Sequence, residues 1–141
     1  MMRKRILAFA IVAGLGASSV QAAGYKVIVN PANPATTLAK KDVSALFLKK
    51  KVKWDDGAAV TAVDQTDKAA VRESFTTSIH GKPVAAIKSY WQQQIFSGRD
   101  VPPVEKSSDA EVIAFVRNNR DAVGYVSEET PVSGVKVIDV Q

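Results

Sequence analysis

The sequence predicts an α/β fold, a three-layer α/β/α sandwich around one sheet, and three observations carry that expectation. Short continuous apolar runs such as Val27–Val29 suit strands covered on both faces. Apolar residues at helical spacing recur, as in Val43, Leu46 and Phe47 or Val71, Phe75 and Ile79. The two kinds of stretch alternate in the order β-α-β-α-α-α-β-β, which argues for a mostly parallel sheet with helices on its faces.

The chain begins with a basic head, Arg3, Lys4 and Arg5, followed by an apolar run from Ile6 to Gly16 and the small residues of "SSVQA". This is the layout of a secretory signal peptide over residues 1–22, with the exported domain spanning 23–141. The run is too short for the ~20 apolar residues of a spanning helix. With no cysteine in the sequence, a lipid anchor, disulfides, Cys-based metal sites and thiol chemistry are excluded. Losing the three basic residues of the head takes the balance from 19 basic against 14 acidic to 16 against 14, so the net charge falls from +5 to +2. That leaves little electrostatic case for a nucleic-acid partner. The remaining length suits one domain with a single core.

Within that domain, "YKVIVN" (25–30) reads as the first strand and "PANPATT" as a loop with two prolines. Lys40–Leu48 fits a helix, "KKKVKWDDG" a basic connector, and "AAVTAVD" (58–64) a second strand. Asp67–Ile79 follows as a helix stopped by Gly81, with Pro83 expected at the first position of the next helix, Val84–Phe96. That helix aligns Val84, Ile87, Trp91 and Ile95 on one face. Ser108 with Glu111 forms a capping box ahead of Val112, Phe115 and Val116, and "AVGYV" and "VKVIDV" close the chain as strands.

Few residues invite chemistry. His80, the only histidine, lacks partners for a metal site or a catalytic pair, and its place before Gly81 suggests a solvent-facing or helix-ending role. Asp55, Asp56 and Gly57 are turn residues, and Trp54 and Trp91 lie in apolar settings that suit core packing. No G-x-S-x-G elbow is present. The sequence therefore calls for no enzyme, no metal and no cofactor. What remains is "TAVDQTDKAAVRESF" (61–75), a strand, a polar turn and a helix start, where free N–H groups attract an anion. The loop "NPANPATT" joins it as a candidate, because open α/β sheets bind ligands at strand ends.

Read together, "VIVNPANPATTLAKKDVSALFLKKKVKWDDGAAVTAVDQ", "YWQQQIFSG" and "AVGYV" resemble, in order, segments of the periplasmic phosphate-binding proteins of ATP-driven phosphate uptake. The resemblance covers nearly the whole exported domain. It implies one lobe of a two-lobed clamp that closes on phosphate or another small oxyanion, working with a membrane transporter. The family's phosphate loop runs roughly R-x-D-G-S-G-T-[RS]-x-x-F. With Phe75 on the family Phe, Gln65 stands at the Arg position, Thr66 follows, and Asp67 is retained. Lys68, Ala69, Ala70 and Val71 replace G-S-G-T, and Arg72 matches the basic option after it.

Two glycines, two hydroxyls and an arginine are thus gone. Each lost donor to a charged acceptor is worth about 1.5–3 kcal/mol, so binding weaker by roughly a thousandfold is expected. The resulting expectation is capture of an oxyanion at Thr66–Ala70, assisted by Lys68 and Arg72 as exposed charges and by Asn30 or Thr36 from the other loop. The rival expectation is an envelope protein that kept the lobe, lost the ligand and docks to another protein or to itself as a homodimer.

Overall fold

The computed structural model describes residues 24–141, so the expected signal peptide lies outside the described residues. The elements are β1 (Tyr25–Val29), β2 (Thr37–Leu38), α1 (Lys40–Phe47), β3 (Thr61–Gln65) and α2 (Ala70–His80), then α3 (Val84–Phe96), β4 (Val104–Lys106), α4 (Asp109–Asn118), β5 (Ala122–Ser127) and β6 (Lys136–Val140). They build the expected three layers around one six-stranded sheet of order β2-β6-β1-β5-β3-β4.

The apolar run of β1 explains the layering. Val27 and Val29 point into the layer holding Val43, Leu46 and Phe47 of α1 and Val71, Phe75 and Ile79 of α2. Ile28 points the other way, onto Val112, Ile113 and Val116 of α4. Tyr125 stacks on Phe75 at 3.7 Å between ring centroids, and Phe47 meets Phe75 at 4.8 Å. Both tryptophans are buried as expected, and Trp54 donates its indole N–H to the Asp121 carbonyl at 3.0 Å. The third helix packs against α2, burying Ile87 and Trp91 while Ile95 stays 53% exposed.

The sheet is mixed where a mostly parallel one was expected. The β3 strand runs parallel to β4 and β5, but β1 is antiparallel to both β5 and β6. A run buried on both faces reports cover by two layers and carries no information on direction. Parallel β5 and β6 are joined without a helix, by residues 128–135, whose Val132 and Val135 pack beside α4. The short strands β2 and β4 fall in stretches expected to be loops.

Helix ends follow their chemistry. Gly81 stops α2 with φ 63°, its N–H bonded to the Thr77 carbonyl at 3.0 Å. Pro83 is the N-cap of α3, one position outside the place expected. Ser108 caps α4 by accepting from the Glu111 N–H, and the Glu111 carboxylate accepts in return from the Ser107 N–H. Because β1 lies antiparallel against both β5 and β6, the start of β1 and the end of β6 emerge side by side. They share an edge with the C-terminal ends of β3, β4 and β5.

Candidate functional site

The strand β3 delivers Gln65 to that edge, and a turn closed by the Ala69 N–H on the Thr66 carbonyl (3.0 Å) leads into α2. The helix starts at Ala70, three residues later than expected, because Thr66, Asp67 and Lys68 belong to the turn. Ala69 is the N-cap and gives no side-chain cap. The Arg72 N–H bonds back to the Ala69 carbonyl at 3.0 Å, and no N-cap side chain covers the N–H groups of Ala70 and Val71 at the positive end of α2.

The side chains around this turn depart from expectation. Asp67 is no first-turn acid: it pairs with Lys88 of α3 at 2.7 Å, and that hydrogen bond and charge hold its carboxyl below the usual range. Lys68 is exposed, as expected. Arg72, expected as an exposed charge, is 3% exposed. Its Nη1 donates to the Gln65 carbonyl at 2.5 Å and to Glu105 at 3.3 Å, and its Nε lies 3.4 Å from Asp64. The cause is Asp64, a carboxylate on a buried strand that draws the guanidinium inward.

Tyr125 completes this network by donating its hydroxyl to Asp64, which also accepts from the Gln65 N–H at 2.8 Å. Burial raises the Asp64 carboxyl above its ordinary value, outweighing the opposing pull of Arg72 and of these hydrogen bonds. Burial and the neighbouring Asp64 likewise push the Tyr125 phenol up.

Gln65 is also buried and turned inward, donating to Asp109 at 2.7 Å and to the Tyr125 carbonyl at 3.0 Å. Asp109 further accepts from Thr130 at 2.5 Å and from the Ser127 N–H at 3.2 Å. Desolvation works to raise this carboxyl, yet the hydrogen bonds from Thr130, Gln65 and Ser127 bring it below its ordinary value.

The loop between β1 and β2 does not join this site. Asn30 follows the end of β1, and that strand runs antiparallel to β5 and hence to β3, so Asn30 sits at the opposite edge of the sheet. There it donates to the Val116 and Arg117 carbonyls, both at 3.0 Å. Asn30 and Asn33 each accept from the N–H two residues on, so "NPANPA" is two successive Asx turns. Thr36 lies beside β2, four strand spacings from β3, or about 19 Å at ~4.8 Å each.

His80 is half-buried where exposure was a possibility, with Nδ1 at 2.8 Å from Ser44 Oγ and its ring edge-on to Phe75. Next to the α2 start, a groove of about 860 Å³ opens between α2 and the β1–β6 surface, walled by Tyr25, Val27, Ile138, Ala70 and Ser74. Sequence reasoning missed Asp64, Asp109, Tyr125, Glu105 and Lys88. Only Asp64 carried a signal, as a charged residue at the end of an apolar strand.

A mixed sheet between helical layers, with a strand–turn–helix at one edge, is the fold of a single α/β lobe of the periplasmic-binding-protein fold class. Within that class the fold is the one seen in phosphate-binding proteins. It aligns with an ABC-type phosphate transport receptor from Vibrio cholerae at a TM-score of 0.66 and 20% identity, over 84% of this chain and 46% of that one. A Clostridium perfringens phosphate ABC transporter substrate-binding protein solved with bound phosphate aligns at 0.67 and 19% identity, over 84% and 45%. PstS from Borrelia burgdorferi aligns at 0.65 and 12% identity, over 84% and 47%. The chain thus spans just under half the length of these proteins, as a single lobe does. No protein-family model and no curated protein matches the sequence.

Proposed function

We propose that this chain is an exported solute-binding lobe of the phosphate-uptake type, working in the periplasm after loss of residues 1–22. It holds phosphate or another small oxyanion weakly at Thr66–Ala70 and serves a membrane transporter. One observation carries this reading: the uncapped start of α2, beside exposed Lys68, lies at the C-terminal edge of β3. Among the described residues no helix is long and apolar enough to cross a membrane. Titration calorimetry with phosphate, sulfate and other small oxyanions tests the proposal. One saturable ligand, with phosphate no tighter than ~0.1 mM (about −5.5 kcal/mol), is the expected result.

A second reading has its own support. Gln65 and Arg72, the polar side chains nearest the missing ligands, are both turned inward. A lobe that has lost its ligand and docks to another envelope protein fits that geometry. Silence with every oxyanion tried would favour it.

A further inference from the structure

The groove of about 860 Å³ beside α2 has a use of its own. Its helical wall is Ala70, Glu73, Ser74, Thr77 and Ser78, whose spacing of i, i+3, i+4, i+7 and i+8 makes one helix face about 12 Å long. Tyr25 and Val27 of β1 and Ile138 and Val140 of β6 form the facing side. All the α2 side chains but Glu73 are short, so helix and sheet leave a channel between them. Asp64, Gln65 and Arg72, the buried network under the candidate anion site, take no part in its walls.

Size and chemistry suit an elongated apolar ligand with one charged end. Small-molecule sites run to ~300–1,000 Å³ and are mostly apolar, with a few polar groups that fix orientation. The Tyr25 hydroxyl and Ser78 Oγ bond to each other at 2.7 Å, so they make no demand on the body of a ligand. The charge comes from Lys40, which opens α1 beside the end of β6, its N–H bonded to the Gln141 carbonyl at 2.8 Å. Lys26 is the second cation of the walls, and neither lysine has an acid at ion-pair distance among the described residues. Glu73 is the one acid there, and it opposes a ligand carrying a second negative charge.

We infer that this groove binds a single-chain monocarboxylate, its alkyl body along α2 between Ala70 and Ser78 and its carboxylate on Lys40. Burial of the chain against Tyr25, Ile138 and Val140 supplies the affinity. The ion pair with exposed Lys40 adds little strength and decides which end of the ligand lies there. The groove shares only Ala70 with the anion site proposed at Thr66–Ala70, and its ligand does not require phosphate to be bound.

Titration calorimetry with sodium decanoate below its micelle threshold, on protein recovered from the exported fraction, reads the binding directly. One saturable site is expected, whether or not phosphate binds. Decyltrimethylammonium reverses the head charge and decanedioate adds a second one, so each should bind at least about ten-fold more weakly. Ser74→Trp places an indole in the groove from a half-buried helix position. It should weaken decanoate at least about ten-fold, and Lys40→Gln should weaken it about three-fold, the size of an exposed ion pair. In the parent, decanoate should shift the amide NMR signals of Ser74, Thr77 and Ile138 and leave those of exposed Phe96 and Val101 in place, which locates the site without any variant. Absence of saturable binding, decyltrimethylammonium bound as tightly as decanoate, or shifts centred on Phe96 and Val101 overturns the inference.

Discussion

Gln65 and Asn30 grip opposite ends of one helix. Gln65 donates to Asp109 at the first residue of α4, and Asn30 donates to the Val116 and Arg117 carbonyls in its last turn. With ten residues at ~1.5 Å each, about 15 Å of helix separates these two candidate ligand residues. Each has a structural post, and the two cannot share one small anion.

Asn30→Ala therefore acts on stability alone. Two carbonyls of the last turn of α4 lose their donor, and the loss should be about 1–3 kcal/mol in chemical denaturation. Phosphate affinity, read by calorimetry, should stay within error of the parent. An affinity change without a stability change would return Asn30 to the anion site.

Arg72→Met removes the cation from a buried carboxylate. The expected cost is about 3–5 kcal/mol near neutral pH, because Asp64 is left charged and unpaired. Asp64 favours its protonated form on burial, so the cost should shrink as the solution is acidified. Pairing the change with Asp64→Asn should recover more than half of the lost stability.

Lys68→Ala is the complementary test, since Lys68 is the exposed cation of the turn. Phosphate binding should weaken about three-fold, in line with one charge at a helix start, and lose part of its salt dependence. Thermal stability should not move. A salt-resistant site indifferent to Lys68→Ala would lie somewhere other than Thr66–Ala70.

His80 sets an acid limit on stability. Burial, then the charges of Arg72, Lys50 and Lys82, lower its pKa from 6.5 to about 4. Between those values the unfolded chain takes up a proton that the folded one refuses, so stability falls as pH drops from about 6.5 to about 4. Asp64 works the other way on acidification, because its folded form is the readier to protonate. The His80 contribution is the difference between parent and His80→Gln, whose stability should be flatter across that window.

Gly124 is needed for its missing side chain. A Cβ there would stand 2.7 Å from Val112 Cγ1 and 2.8 Å from Val63 Cγ1, where α4 lies on the sheet. Gly124→Ala should cost about 1–3 kcal/mol by overpacking, measured by denaturation.

The layers were legible in the sequence because burial follows periodicity. Val71, Phe75, Ile87, Trp91, Val112 and Val116 are all buried, at the positions their spacing indicates. Strand direction was not legible, since the burial of Ile28 between two layers is the same whichever way β1 runs. The short strands β2 and β4, of two and three residues, are too brief to show alternation. Arg72 was misread because its partners, Asp64 and Glu105, lie on other elements. A charge eight positions earlier or thirty-three later says nothing until the sheet brings it near. The strand, turn and helix start of the candidate site could be read locally, whereas the fate of each side chain depended on tertiary neighbours.

The pairing of Val27 with Ile138 places the two ends of the lobe on adjacent strands, ~5 Å apart, opening at one edge. Such a unit can be spliced into a surface loop of another protein. A flexible insert of the 118 described residues would tax closure of the host loop by on the order of 4 kcal/mol, whereas the folded lobe presents the host with a gap no wider than a tight turn. Folding of the insert would thereby assist folding of its host, and a destabilised insert would pull the host down with it.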